Sequence, residues 1–131
     1  MVVLQQQTNF RKEKRGLSEI RGDNIFFTGE NSPITVVDDK VSRRLLVYGG
    51  SLMMAEVTFK KGGVGTAHVH TDHEQVSRVL AGSFEATIDG KKVVLRRGDG
   101  FYAARGTMHG VVALEDSVIL DIFTPVREDF L

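Results

Sequence analysis

From Ile25 to the C-terminus the apolar residues fall in short runs rich in β-branched and aromatic side chains, divided by turn residues. Arg44–Tyr48, Leu52–Phe59, Val76–Leu80, Phe84–Ile88, Lys92–Leu95, Gly100–Ala103, His109–Leu114 and Val118–Thr124 all read as strands. Gly49-Gly50 and Asp89-Gly90 sit between such runs, and these dipeptides supply the positive φ angles of tight hairpin turns. No segment predicts a helix longer than a few turns, and no solenoid-type repeat is present. Eight to ten short strands at close intervals argue an all-β fold, an antiparallel sandwich or barrel. The first twenty or so residues differ. Gln5-Gln6-Gln7 and the basic run Arg11–Arg15 lack strong periodicity, so residues 1–22 are expected to form an arm, extended or a short helix, and residues 23–131 the domain.

Composition narrows the function classes. At 131 residues the chain predicts one domain with one substantial core. Seventeen basic and seventeen acidic residues cancel, so bulk electrostatics offer no attraction to nucleic acid or membrane. No apolar run approaches the ~20 residues of a membrane span, and Met1 to Gln7 is too short for a secretory leader. Without cysteine there are no disulfides and no thiolate chemistry, and a cytoplasmic location is the expectation.

The four histidines are the informative residues. His68, His70 and His73 lie in the stretch from Gly62 to Gln75, and His109 closes the stretch that begins at Gly98. On a strand, His-x-His puts both imidazoles on one face, with about 6–7 Å between their backbones. Two such rings can converge on one metal ion, and neutral imidazole is the commonest metal ligand. A third imidazole from a distant strand and an oxygen donor from Glu74 or Gln75 would complete the shell. Strand parity alone leaves that last choice open, because Thr71-Asp72 can interrupt the strand. Ser77, two residues beyond Gln75, would face the same cavity on an uninterrupted strand and Arg78 would face away, while Met53, Met54 and Tyr102 read as core.

These residues carry a family resemblance. Gly62, His68-x-His70, Glu74 or Gln75, and Gly82 resemble the first cupin motif; Gly98-Asp99, Gly106 and His109 resemble the second. The resemblance implies a single-domain, antiparallel jelly-roll β-barrel with one divalent transition metal near its wider mouth. Ala104 stands where a proline is usual and Ala113 where an asparagine is frequent, but neither position is a ligand. The ending Leu120-Asp121-Ile122-Phe123-Thr124-Pro125-Val126-Arg127 is similar to that of the pectin-degradation (KdgF-type) cupins. Those members use three histidines and a glutamine, which implies His68, His70, Gln75 and His109 as metal ligands. Donors of this kind accept zinc, nickel, iron, manganese or copper. Four neutral ligands leave the full dication uncompensated, which suits an anionic substrate.

On the last strand Ile119, Asp121 and Phe123 share one face, and an aspartate among such neighbours must be paired or hydrogen-bonded. The resemblance implies that Asp121 is the catalytic acid/base, with Arg127 and Phe123 binding substrate. The activity it implies is metal-dependent, isomerase-type conversion of 4,5-unsaturated uronates from pectin or alginate to linear 4-deoxy-5-keto uronates. A cupin dioxygenase and a non-catalytic, ligand-sensing cupin are the competing readings. A small acidic sugar as partner and a homodimer complete the expectations.

Overall fold

The computed structural model describes residues 25–131, so the arm expected over residues 1–22 lies outside the described residues. Ten strands follow in order: β1 (Ile34–Val36), β2 (Val41–Gly49), β3 (Leu52–Phe59), β4 (Val64–Val69), β5 (Glu74–Ala81), β6 (Ser83–Ile88), β7 (Lys91–Arg96), β8 (Gly100–Ala103), β9 (Met108–Ala113) and β10 (Ser117–Thr124). They build two antiparallel sheets, one of six strands in the order β1-β2-β3-β10-β5-β8 and one of four in the order β4-β9-β6-β7. The expected all-β jelly roll is the observed architecture. Among the described residues no helix is long and apolar enough to cross a membrane. Asp89 and Gly90 both take positive φ, as a two-residue hairpin between β6 and β7 requires.

Side-chain alternation sets which face of each strand is interior. On β3 the interior positions are Met53, Ala55, Val57 and Phe59, and on β10 Ser117, Ile119 and Phe123 are buried. One core cluster joins the two sheets through Val41, Phe59, Val79, Phe84, Leu95 and Ile119, with Phe59 and Phe84 edge to face at 5.1 Å. A second cluster gathers Tyr48, Met53, Ala55, Phe123 and Val126 under the C-terminal segment. Polar residues occupy the interior between them.

Strand limits differ from the sequence reading in informative places. β2 begins at Val41, and its pairing with β3 shifts between Leu45 and Val47, so Leu46 is an extra residue. That bulge brings Tyr48 back to the interior face after Val41, Arg43 and Leu45. β4 escapes a pattern reading because its register with β9 breaks between Gly65 and His68. Met53 is core as expected, but Tyr102 is exposed. Its neighbour Phe101 holds the interior phase of β8, opposite Ser77.

Candidate metal centre and its cavity

The centre lies between the sheets. His68 on β4 and His109 on β9 are direct cross-strand partners, which brings their ring centroids to 4.5 Å. His70, one residue beyond the end of β4, turns its ring to 4.1 Å from that of His68. One ring nitrogen from each of the three lies within 4.8 Å of the others. Gln75 comes from the opposite sheet on the interior phase of β5, which its neighbour Glu74 cannot share. Glu74 instead points outward, where Tyr102 Oη donates to it at 2.8 Å and Arg105 pairs with it at 3.0 Å.

Hydrogen bonds orient the donors. The Nδ1 atoms of His68 and His109 face the carbonyl oxygens of Thr66 and Thr107, the latter at 3.0 Å. A carbonyl only accepts, so both Nδ1 atoms carry the proton and each Nε2 presents a lone pair. The Gln75 amide nitrogen donates to Ser77 Oγ at 2.9 Å, and Ser77 Oγ donates to Asp121 Oδ1 at 2.6 Å. That chain turns Gln75 Oε1 toward His109 Nε2 at 3.1 Å. Two lone pairs thus face one another with no proton between them, an arrangement that a shared cation satisfies. His70 Nε2 is likewise buried without a hydrogen-bond partner. The donor set therefore fits a bound divalent metal.

Burial favours the neutral form of His70, His73 and His109. Burial, reinforced by the charge of Arg127 and the neighbouring imidazoles, pushes His70 down to about 3. Burial lowers His73 and His109 as well. His73, just before β5, is 9% exposed; its ring lies 4.0 Å from that of His70 and stands edge-on to Phe123 at 5.6 Å.

Asp121 faces Ser77 across the β10–β5 ladder and Ala55 across the β10–β3 ladder. Burial pushes its carboxyl up to about 6, against the opposing pull of the Ser77 hydroxyl and of Arg127 and Arg43. With Gln75, His68 and His109 it lines a cavity of about 270 Å³, close to the lower end of ligand pockets and suited to one small molecule. A groove of about 440 Å³ between Val47, Leu52, Met54 and Ile122 carries no charged side chain. Phe123 is buried and is not among the residues that line the cavity of Asp121. The guanidinium of Arg127 lies 5.2 Å over Phe123 and 4.0 Å over Phe130, and one of its edges is held by both oxygens of Asp129, at 3.2 and 2.6 Å. Burial would raise Asp129, but the hydrogen bond and charge of Arg127 hold it below the usual carboxylate range.

Arg43 is a charged cavity residue that the strand limits read from the sequence pass over. Arg43 lines the same space, its guanidinium 3.7 Å over Phe130. The available signal was its phase, two residues from Val41 and two from Leu45 on the interior face of β2. That signal appears only once β2 is extended back past Arg44.

The chain matches the Cupin domain family over residues 55–123. It is 43% identical over 107 residues to the pectin degradation protein KdgF of Dickeya dadantii (strain 3937), covering 81% of this chain and 97% of that protein. Among solved structures, KdgF from Halomonas sp. superposes with a TM-score of 0.78 at 40% identity, over 81% of this chain and 97% of its own. An RmlC-like cupin from Shewanella frigidimarina NCIMB 400 superposes with a TM-score of 0.78 at 36% identity, over 82% and 96%.

Proposed function

The chain belongs to the cupin family, and from that premise we propose that it converts 4,5-unsaturated uronate monosaccharides into linear 4-deoxy-5-keto uronates. The observation that carries this reading is the Asp121 carboxyl in the same small cavity as His68, His109 and the oriented amide oxygen of Gln75, with His70 beside both histidines. The 43% identity with a pectin degradation protein supports the choice of substrate class. His68, His70, Gln75 and His109 would hold one divalent transition metal: zinc, nickel, iron or manganese. Bound there, the metal supplies Lewis acidity toward substrate oxygens without a change of oxidation state.

The reaction is an isomerisation, so its protons must balance. Asp121 takes the proton of the C1 hydroxyl as the bond from C1 to the ring oxygen breaks and C1 becomes an aldehyde. The former ring oxygen keeps the electron pair of that bond and remains on C5 as an enolate oxygen. Transfer of the proton from Asp121 to C4 converts the enolate to the C5 ketone and leaves Asp121 ionised for the next turnover. Ser77 positions the carboxylate by donating to it at 2.6 Å. Phe123 acts on substrate binding from behind the pocket, under the Arg127 guanidinium at 5.2 Å, and Arg127 turns the guanidinium edge not held by Asp129 toward the substrate carboxylate. In this reading the protein works in the cytoplasm as a homodimer. The apolar side chains Leu52, Val76 and Leu80, exposed on the outer face of the larger sheet, support self-association.

The test is incubation of the metal-loaded protein with unsaturated uronate released by a lyase. Loss of the ultraviolet absorbance of the C4–C5 double bond, abolished by a chelator, is the expected result. Oxygen uptake, or tight binding without loss of the double bond, would overturn the assignment.

A further inference from the structure

We infer that Arg43 is a second anion-binding residue of the cavity and sets its preference for a substrate bearing a carboxylate. The inference rests on the uronate reading above and goes beyond it in naming the residue that selects the acid.

Three observations carry it. The first is phase: Arg43 sits between Val41 and Leu45 on the interior face of β2, opposite the buried Val57 of β3. A charged side chain at an interior position needs a counter-charge or a polar partner. The second is that the folded chain supplies none in direct contact. Among the described residues Arg43 has no carboxylate within ion-pair distance and its guanidinium donates no hydrogen bond. Asp121, which lines the same cavity, is bonded to Ser77 instead. The third is how the guanidinium is held. Its flat face packs 3.7 Å over Phe130, which fixes the plane and leaves the in-plane N–H donors open to the cavity.

Arg127 makes the contrast. It stacks on the same ring at 4.0 Å, but Asp129 already holds one edge of its fork with two bonds. The cavity thus contains one guanidinium bonded to a carboxylate of the chain and one that is not. A planar carboxylate carried in by the substrate is the ligand such an open fork matches. Burial, and after it the like charge of Arg127, weakens the hold of Arg43 on its proton against the opposing pull of Asp129 and Asp121.

The experiment compares metal-loaded wild type, Arg43→Gln and Arg43→Lys on unsaturated uronate and on its methyl ester, with thermal melts in parallel. For Arg43→Gln the expected result is a KM on the free acid raised by about 10- to 100-fold with kcat little changed, because a fork held in ground and transition states alike acts on affinity. On the ester the variant and wild type should differ by less than about threefold. Arg43→Lys keeps the charge without the planar fork and should recover part of the loss. An unchanged KM on the acid, or an equal penalty on acid and ester, would overturn the inference. If Arg43→Gln fails to fold, the acid-to-ester ratio of Arg43→Lys decides the question by the same criterion. Failure of wild type to consume the uronate would count against the uronate reading alone. Calorimetric titration with D-galacturonate then decides the role of Arg43: at least tenfold weaker binding by Arg43→Gln supports it, and equal binding overturns it.

Discussion

Exchanging Glu74 for alanine removes a carboxylate that Tyr102 and Arg105 hold on the outer face of β5, and metal content should stay at the wild-type level. Exposed pairs of this kind contribute up to about 1 kcal/mol, so the melting point should barely move. Gln75→Ala, one residue on, should instead deplete the metal, because it removes the oxygen that faces His109 Nε2. Elemental analysis of both variants checks the pair, and full occupancy in Gln75→Ala would take that residue out of the shell. Asp121→Asn keeps the side-chain shape without its proton chemistry, so turnover should fall on the order of 10²–10⁴-fold at unchanged metal content. Wild-type turnover in that variant would falsify the acid/base assignment. At this scale the histidine spacing was legible in the chain, since only four histidines exist and they cluster. The choice between Glu74 and Gln75 was not legible from parity, because the turn at residues 71–73 resets the phase before β5 begins.

Between elements, the crowded position beside the candidate metal centre is Gly110, directly after His109. A Cβ there would meet the Cα of Ala67 at 2.7 Å and its N at 2.8 Å, both backbone atoms of the residue before His68. β4 and β9 would have to part where His68 and His109 face each other. Gly110→Ala is therefore expected to lose metal while keeping a β-sheet circular dichroism spectrum, although no ligand has changed. Gly29→Ala, where an added Cβ meets nothing within 4 Å, should bind metal normally and serves as the control. Wild-type metal content in Gly110→Ala would show that the strands relax without moving the imidazoles. The same crowding explains what the sequence pattern hid. β4 carries Gly65 and Thr66 where its register with β9 breaks, so its side chains do not alternate in the manner that marks a half-buried strand. The 3₁₀ turn Glu128–Phe130 was hidden for another reason. Its place over the cavity follows from Arg127 and Phe130 stacking, a tertiary contact that no local pattern encodes.

For the molecule as a whole, strand content could be read from runs of β-branched residues, whereas strand order could not. β10 lies between β3 and β5, each far from it in sequence, and only burial of both interior faces selects that pairing. The resulting interior is apolar at two clusters and polar between them, where ligand candidates from β4 and β9 of one sheet meet Gln75 of the other. A cation bound there joins the two sheets. Anything that binds the native state and not the unfolded chain stabilises by mass action, about 2.7 kcal/mol at a hundredfold excess over Kd. For a domain of this size that corresponds to a melting point higher by roughly 10 °C. Chelation should remove this increment from the wild type and leave His109→Ala, already short of one ligand, nearly unaffected. Phe84→Ala separates the metal from the apolar core: it opens a void beside Phe59 and should cost about 3–5 kcal/mol with or without metal. Its loss and that of chelation should add, because additivity holds for sites that share no partner. A wild-type melting point unmoved by chelation, with elemental analysis confirming removal, would mean that the sheets are held by their apolar clusters alone and that the histidine cluster contributes nothing to the fold.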